Sequence, residues 1–366
     1  MSELAKSFFP QISQLGRPIL VTGHTGFVGT WLISVLDELE IPWVGFSQKP
    51  QDGSMFQKLD FLSRKGQEFG DLRDENLLAE FIKRSNPSAV IHLAANALVL
   101  EAIKSPYSVL HNNFNSTLSL TSEFERTTSI KRMLVSTTDK VYKNSNSLVS
   151  FKESDPLEGN EPYSESKVAT EALIRGINSI LPINRRILVA RAGNIIGGGD
   201  FAKDRLIPDI VRARISGLDF SLRMPEATRP WQHVLDVVFG YLCYLEKALN
   251  SNHVPLALNF SSFNSSKSVN YIVNRILQNG FIEEKLIQSE IPSENDSSRI
   301  EKFTLDLDPT LAHEKLNWHN IYDVDTAVDI TLQWWRSYLD SSKDPTQVTK
   351  LQIHDHLVLV SLRSNV

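Results

Sequence analysis

Short apolar runs alternate with longer amphipathic ones through the first half of the chain, and this alternation limits the fold more than any other feature. PILVTG (18–23), WVGFS (43–47), SAVIHLAA (88–95), IKRMLVST (130–137) and RRILVARAG (185–193) read as strands. FVGTWLISVLDELE (27–40), ENLLAEFIKRSN (75–86) and the stretch from Tyr163 to Ile180 read as helices. Apolar runs without polar alternation suit strands buried on both faces, as in parallel sheets covered by helices. Strand, helix, strand in repetition therefore predicts an α/β fold with a doubly wound (Rossmann) parallel sheet. The second half is less regular: helices are expected at 233–249, 269–278 and 324–339, and a short strand at 256–261. The expected division is a dinucleotide-binding domain in 1–192 plus 229–261 and a smaller C-terminal substrate-binding lobe in 193–228 plus 262–340. That lobe would lie over the carboxyl ends of the strands, where open α/β sheets bind ligands. Residues 341–366 read as a tail, and polar clusters at 143–150, 261–268 and 292–299 as loops.

The first strand runs into VTGHTGFVGTWL, which spaces Gly23, Gly26 and Gly29 three apart at a strand-to-helix turn. Such a turn needs a positive φ, close approach of backbone to a pyrophosphate, and a helix N-terminus with unpaired N–H groups. Dinucleotide binding outweighs a plain turn here, although the spacing is wider than G-x-G-x-x-G. The acidic residue expected on the adenosine ribose is missing, since Ser47 and Gln48 end the second strand and Lys49 is the nearest cation. In GDLRDE (70–75), Asp71 and Leu72 are candidates for holding the adenine. Asp71 could instead cap the following helix, as Asp74 equally could.

VSTTDKVYKN (135–144) ends an apolar strand with an acid and a base side by side, Asp139 and Lys140. A solvent-exposed ion pair is the bland explanation. The chemical one gains weight from EPYSESKVATEAL, which puts Tyr163 and Lys167 four apart on one helical face. A tyrosine serves as a base near neutral pH only if its pKa falls well below ~10, and a neighbouring ammonium favours that.

Composition narrows the alternatives. A net charge of −5 over 366 residues offers no basic face for nucleic acid and no polybasic membrane anchor. The single cysteine, Cys243, excludes an internal disulfide and a thiolate-rich metal site. The first residues lack the apolar core of a secretory leader, and no apolar run reaches the ~20 residues of a membrane span, so a cytoplasmic protein is expected. HDH (354–356) has metal-like spacing but no evident third ligand, and no metal is expected.

GHTGFVGTWL, STTDKVY, PYSESK, RAGNIIGGGDFAKDRLIPDIVRA and RPWQHVLD, with LDLDPTLAHEKLNW and TLQWWRSYL, resemble the extended short-chain dehydrogenases/reductases of the nucleotide-sugar 4,6-dehydratase group. Within that group they are most similar to the CDP-glucose 4,6-dehydratases, over roughly residues 17 to 340. The resemblance implies bound NAD, a CDP-hexose substrate and a homodimer paired through helices near 100–126 and 163–180. Such enzymes oxidise the sugar C4 hydroxyl, eliminate water across C5 and C6, and reduce C6. It implies that Tyr163 takes the C4 hydroxyl proton, with Thr138 on the same oxygen, while Lys167 holds the nicotinamide ribose and depresses the tyrosine pKa. Protonated Asp139 would protonate the departing C6 hydroxyl, and neutral Lys140 would take the C5 proton. A lysine base must lose its proton, so its pKa must drop through desolvation or the Lys167 charge.

By the same resemblance, Gly23, Thr25, Gly26, Phe27, Val28, Gly29, Asp71, Leu72, Ala94, Ala95 and Asn96 contact the cofactor together with Tyr163 and Lys167, and Asn113 hydrogen-bonds near the active-site strand. Asn194, Arg205, Leu206, Arg223, Arg229 and His233 are implied on the nucleotide-sugar side, Arg229 as a two-pronged diphosphate ligand. Plainer roles compete: a salt bridge to Asp236 for Arg229, a capping or core position for His233. The family's glycine loop usually carries a lysine where Val28 stands, and the loop after Tyr142, near the sugar, is usually aromatic-rich, whereas here it is polar; these departures bear on which hexose, and which nucleotide base, fits. An epimerase needs no acid–base pair across C5 and C6, so Asp139–Lys140 argues against that alternative. A catalytically silent dinucleotide-binding scaffold would be expected to have lost Tyr163 or Lys167.

Overall fold

The computed structural model describes residues 2–146, 149–289 and 303–364. Its strands are, in chain order, β1 (Ile19–Thr22), β2 (Trp43–Ser47), β3 (Gln67–Phe69), β4 (Ala89–His92), β5 (Arg132–Ser136), β6 (Arg186–Ala192), β7 (Asn194–Ile196), β8 (Phe220–Leu222), β9 (Thr228–His233), β10 (Ala257–Phe260), β11 (Ser266–Ser268) and β12 (Ile287–Ser289). Seven of them form one sheet in the order β10-β6-β5-β4-β1-β2-β3. Every neighbouring pair in it is parallel, as the unalternating apolar runs require. The order reverses between β1 and β4, and the carboxyl ends of these strands flank the crevice where such sheets take ligands.

Alternate residues of each strand feed two cores. Ile19, Val21, Ile91 and Leu134 pack on one face with the helices Phe27–Glu38 and Val234–Asn250. Leu20, Val90, Met133 and Val135 pack on the other with Glu75–Ser85, Pro106–Arg126 and Pro162–Ile180. Local signals start and stop these helices: Asp74 accepts from Leu77 N at 3.1 Å, and Asn86 closes the same helix with a left-handed residue.

Beyond β6 the chain builds smaller sheets. β9 lies between β7, to which it is parallel, and β11, to which it is antiparallel. β8 and β12 form a parallel pair. β9 therefore departs from the expected division, which assigned 229–261 to the main domain; only the helix Val234–Asn250 and β10 return to the large sheet. Of the polar clusters, 261–268 ends in β11, residues 147–148 of the first lie outside the described residues, and so does all of 292–299.

The expected tail is corrected outright. Pro345–Ser364 is a helix whose Val348, Ile353 and Leu357 are buried in the main core. Trp334 Nε1 donates to Thr349 Oγ1 at 2.8 Å, and Gln352 Nε2 to the Ile330 carbonyl at 3.0 Å. His354 and Asp355 are exposed while His356 is buried, so the HDH side chains do not converge. Among the described residues, no three metal-ligating side chains cluster, and no helix is long and apolar enough to cross a membrane.

Candidate active site

The glycine loop connects β1 to the helix Phe27–Glu38. Gly23 has φ +71°, and a Cβ there would meet Ala94 N at 2.7 Å. A Cβ on Gly29 would overlap the Gly23 carbonyl oxygen, so turn and helix touch backbone to backbone. No side chain caps this helix, and its first turn contains no acid. Its N–H groups and dipole thus face the crevice unshielded, as a dinucleotide pyrophosphate requires. Val28 lines the cavity that follows, whereas Phe27 packs toward Gly197. Thr25 Oγ1 pairs with Ser47 Oγ at 2.7 Å and donates to the Gln48 carbonyl at 3.1 Å, which fixes the loop to the end of β2. These features fit a dinucleotide.

A cavity of about 360 Å³ opens at the carboxyl ends of β4, β5 and β6. Thr138, Asp139, Lys140, Tyr163 and Lys167 all line it, so the geometry unites the five residues expected to do chemistry. Tyr163 and Lys167 come from the first turns of Pro162–Ile180. A reciprocal cap sets that helix: the Glu161 carboxylate accepts from Tyr163 N (2.6 Å) and Ser164 N (2.8 Å), while Ser164 Oγ accepts from Glu161 N (3.2 Å). Lys167 Nζ donates to the Ser136 carbonyl at 3.1 Å, tying the helix to the end of β5. Asp139 and Lys140 open a single 3₁₀ turn, Asp139–Val141, just past that strand.

Asp139 is buried, which refutes the exposed ion-pair explanation for it. Thr138 Oγ1 donates to its Oδ1 at 3.0 Å, whereas its buried Oδ2 has no hydrogen-bond partner among the described residues. Burial pushes the carboxyl pKa up, against the opposing pull of Lys140, Thr138 and Arg229. Asp139 is therefore biased toward the protonated form that an acid needs. Burial also lowers Lys167 to about 8, opposed by the Glu171 carboxylate. Tyr163 differs from expectation. Burial raises its phenol to about 12, with the Thr138 hydroxyl opposing and Asp139, whenever it is ionised, adding to the rise. The Lys167 ammonium is turned to the Ser136 carbonyl, and the group that chiefly opposes the rise is the Thr138 hydroxyl.

Other candidates divide. Asn194, Arg205, Leu206, Arg223 and Arg229 line the same cavity. Arg205 Nη1 lies 3.0 Å from Asp200 Oδ2, and Arg223 Nη1 lies 3.8 Å from Asp204 Oδ1. Arg229 is buried and donates to the Thr228 carbonyl at 2.8 Å; Asp236 instead accepts from Ile321 N at 2.7 Å. Ala95 lines the cavity, and Ala94 abuts Gly23. Asn96 is held by Asn113, which accepts from its N–H at 2.7 Å and donates to its carbonyl at 3.0 Å. Asp71 is bound by Arg73, whose Nε reaches Oδ1 at 2.9 Å, and Leu72 is buried in a core; Asp74, not Asp71, is the helix cap. His233 is not brought to the cavity and leaves the set of substrate ligands. It is fully buried, caps Val234–Asn250 by accepting from Leu235 N at 3.3 Å, and packs against Trp31 and Tyr322.

Two contributors escaped sequence reasoning. Ser136 acts through its main-chain carbonyl, which no side-chain pattern signals. The Glu161–Ser164 cap reads E-x-x-S, the reverse of the usual S-x-x-E order, yet was legible as an acid placed before Pro162.

The profile of the NAD dependent epimerase/dehydratase family matches residues 19–257. A CDP-glucose 4,6-dehydratase of Salmonella typhimurium is 30% identical over 93% of this chain and 96% of its own length. A UDP-glucose 4-epimerase of Pisum sativum is 26% identical over 65% of this chain and 74% of its own. The solved dTDP-glucose 4,6-dehydratase of Streptomyces venezuelae with NAD bound has the same fold, with a TM-score of 0.76 at 20% identity over 90% of this chain and 99% of that one.

Proposed function

Because the chain belongs to the NAD dependent epimerase/dehydratase family, we propose that it dehydrates a nucleotide-activated hexose to a 4-keto-6-deoxy sugar, with CDP-glucose as the foremost substrate. One observation carries this reading: a buried Asp139 with a raised pKa and an unpartnered oxygen adjoins Lys140 in the cavity that also receives Tyr163 and Lys167. Elimination needs an acid and a base within reach of neighbouring carbons, and adjacent residues leaving a strand supply both.

Gly23, Gly26 and Gly29 with the helix N-terminus hold the dinucleotide pyrophosphate, and Ala94, Ala95 and Asn96 flank it beside Thr25, Phe27 and Val28. Asp71 and Leu72, just past β3, are assigned to the adenine side. When bound, NAD supplies reversible hydride acceptance and a positive charge near the phenol. Tyr163 takes the proton of the C4 hydroxyl, with Thr138 on the same oxygen, and Lys167 orients the ribose. Lys140 takes the C5 proton. Asp139 gives its proton to the C6 hydroxyl, which departs as water. Asn194, Arg205, Leu206, Arg223 and Arg229 receive the nucleotide diphosphate end. The helices Pro106–Arg126 and Pro162–Ile180 pack against each other, and the first presents an 87% exposed Tyr107; we assign the homodimer contact to this pair.

The test is a panel of CDP-, dTDP-, GDP- and UDP-hexoses analysed by NMR in D₂O. A 4-keto-6-deoxy product carrying deuterium at C5 is expected. A C4 epimer without C5 exchange would make the protein an epimerase, and no turnover of any sugar would leave a nucleotide-binding role.

A further inference from the structure

The acid–base turn leaves the sheet after Ser136, and its backbone is tied to neighbours through Thr137 N to the Ala190 carbonyl (2.8 Å) and Glu158 N to the Val141 carbonyl (2.9 Å). The side chains on its two flanks do more. On the leading side the Thr137 hydroxyl donates to Glu171 Oε1 at 2.8 Å. Glu171 stands one helical turn beyond Lys167 on the Tyr163 helix. On the trailing side the Tyr142 hydroxyl accepts from Arg191 Nη1 at 2.8 Å and donates to Asn259 Oδ1. Glu171 and Arg191 are bound to each other: Arg191 Nε reaches the two carboxylate oxygens at 3.0 and 3.2 Å, and the side chains are only 2% and 5% exposed.

We infer that Glu171 and Arg191 are positioning residues, whose ion pair grips Thr137 and Tyr142 on either side of Asp139–Lys140 and so fixes the acid and base relative to Tyr163 and Lys167. The inference rests on the dehydratase reading above. Stability alone is a poor reason for such a pair, because two charges taken from water gain little over apolar side chains of the same volume. What apolar residues cannot supply is direction. The carboxylate accepts a hydrogen bond from Thr137 and the guanidinium donates one to Tyr142, each from a rigid element. Glu171 belongs to the helix that carries Tyr163, and Arg191 to β6, next to Ala192 in the cavity wall. A misplacement of about 1 Å between acid, base and sugar would cost on the order of 100-fold in rate.

Thr137→Val and Tyr142→Phe each delete one hydroxyl and leave the ion pair whole, so neither strands a buried charge. In each, kcat on the sugar found by the panel is expected to fall roughly 10-fold or more, with KM within about twofold. NAD affinity should hold. Hydrogen exchange of amides 138–142 should quicken by on the order of 10-fold while the helix 162–180 keeps its parental rates. Unchanged exchange in both variants overturns the proposal, whatever kcat does. So does exchange that quickens equally through sheet and helix, which would make the pair a general support. If the parent protein converts no nucleotide hexose, the dehydratase reading fails on that result, and the exchange measurement still decides whether the ion pair holds the turn.

Discussion

At the scale of single residues, Asp139 carries a cost that its proposed role as an acid requires. A carboxyl whose folded pKa lies above its unfolded value favours the neutral form, so its charge weighs against folding at every pH above the unfolded value near 3.8. Asp139→Asn keeps the shape and removes that penalty. The expected outcome is a kcat lower by roughly 10²–10⁴ with a melting temperature at pH 8 equal to or above the parent's; a lower melting temperature with intact turnover would refute the assignment. Lys140→Ala should abolish elimination while NAD binding, followed by fluorescence titration, stays within about twofold. Loss of both together would mean that Lys140 is structural. That Asp139 and Lys140 would lie together in the cavity was legible because charge at the end of an apolar strand is an anomaly visible in the sequence. For His233 the sequence offered both a ligand and a capping or core role, and it could not decide between them because what surrounds it, Trp31 and Tyr322, lies far along the chain in both directions.

At the scale of elements, the glycine loop and six of the seven strands of the large sheet, all but β3, read cleanly from sequence because one local demand fixes each of them. β2 spans the whole apolar run WVGFS, and the helix Phe27–Glu38 starts where the loop's last turn allows. Gly29→Ala tests that demand. Its new methyl would press on the main-chain carbonyl of Gly23, which has no rotamer to turn away. We expect stability to fall by about 1–3 kcal/mol and NAD affinity to fall at least 10-fold, measured by urea denaturation and by titration. The C-terminal helix was illegible for the opposite reason. Its buried stripe includes Thr349, Gln352 and His356, satisfied or enclosed by distant groups, while Leu351, Val358, Leu359 and Leu362 face outward. Hydrophobic periodicity cannot find a helix whose inner face is half polar and whose outer face is half apolar.

At the scale of the whole molecule, the two cores meet across the central strands, and buried histidines make folding depend on pH. His92, at the end of β4, bonds Thr22 Oγ1 at 2.6 Å and Thr117 Oγ1 at 3.1 Å, and burial lowers its pKa to about 3. Below about pH 6.5 the unfolded chain takes up a proton there that the folded chain refuses, so stability is lost as the pH falls toward 3. Relative to His92→Gln, the parent should lose about 1.4 kcal/mol per pH unit through that window; parallel urea curves at pH 7, 6 and 5 would contradict this.

The joins between the large and small sheets have a mechanical consequence. β6 passes into β7 with only Gly193 between them, and a Cβ there would strike Pro230; β9 passes into the helix Val234–Asn250 with no residue between. A jaw needs slack at its pivot, and these joints have none. We therefore expect the gape of the cleft to be set when the chain folds. X-ray scattering curves recorded with and without nucleotide should superpose.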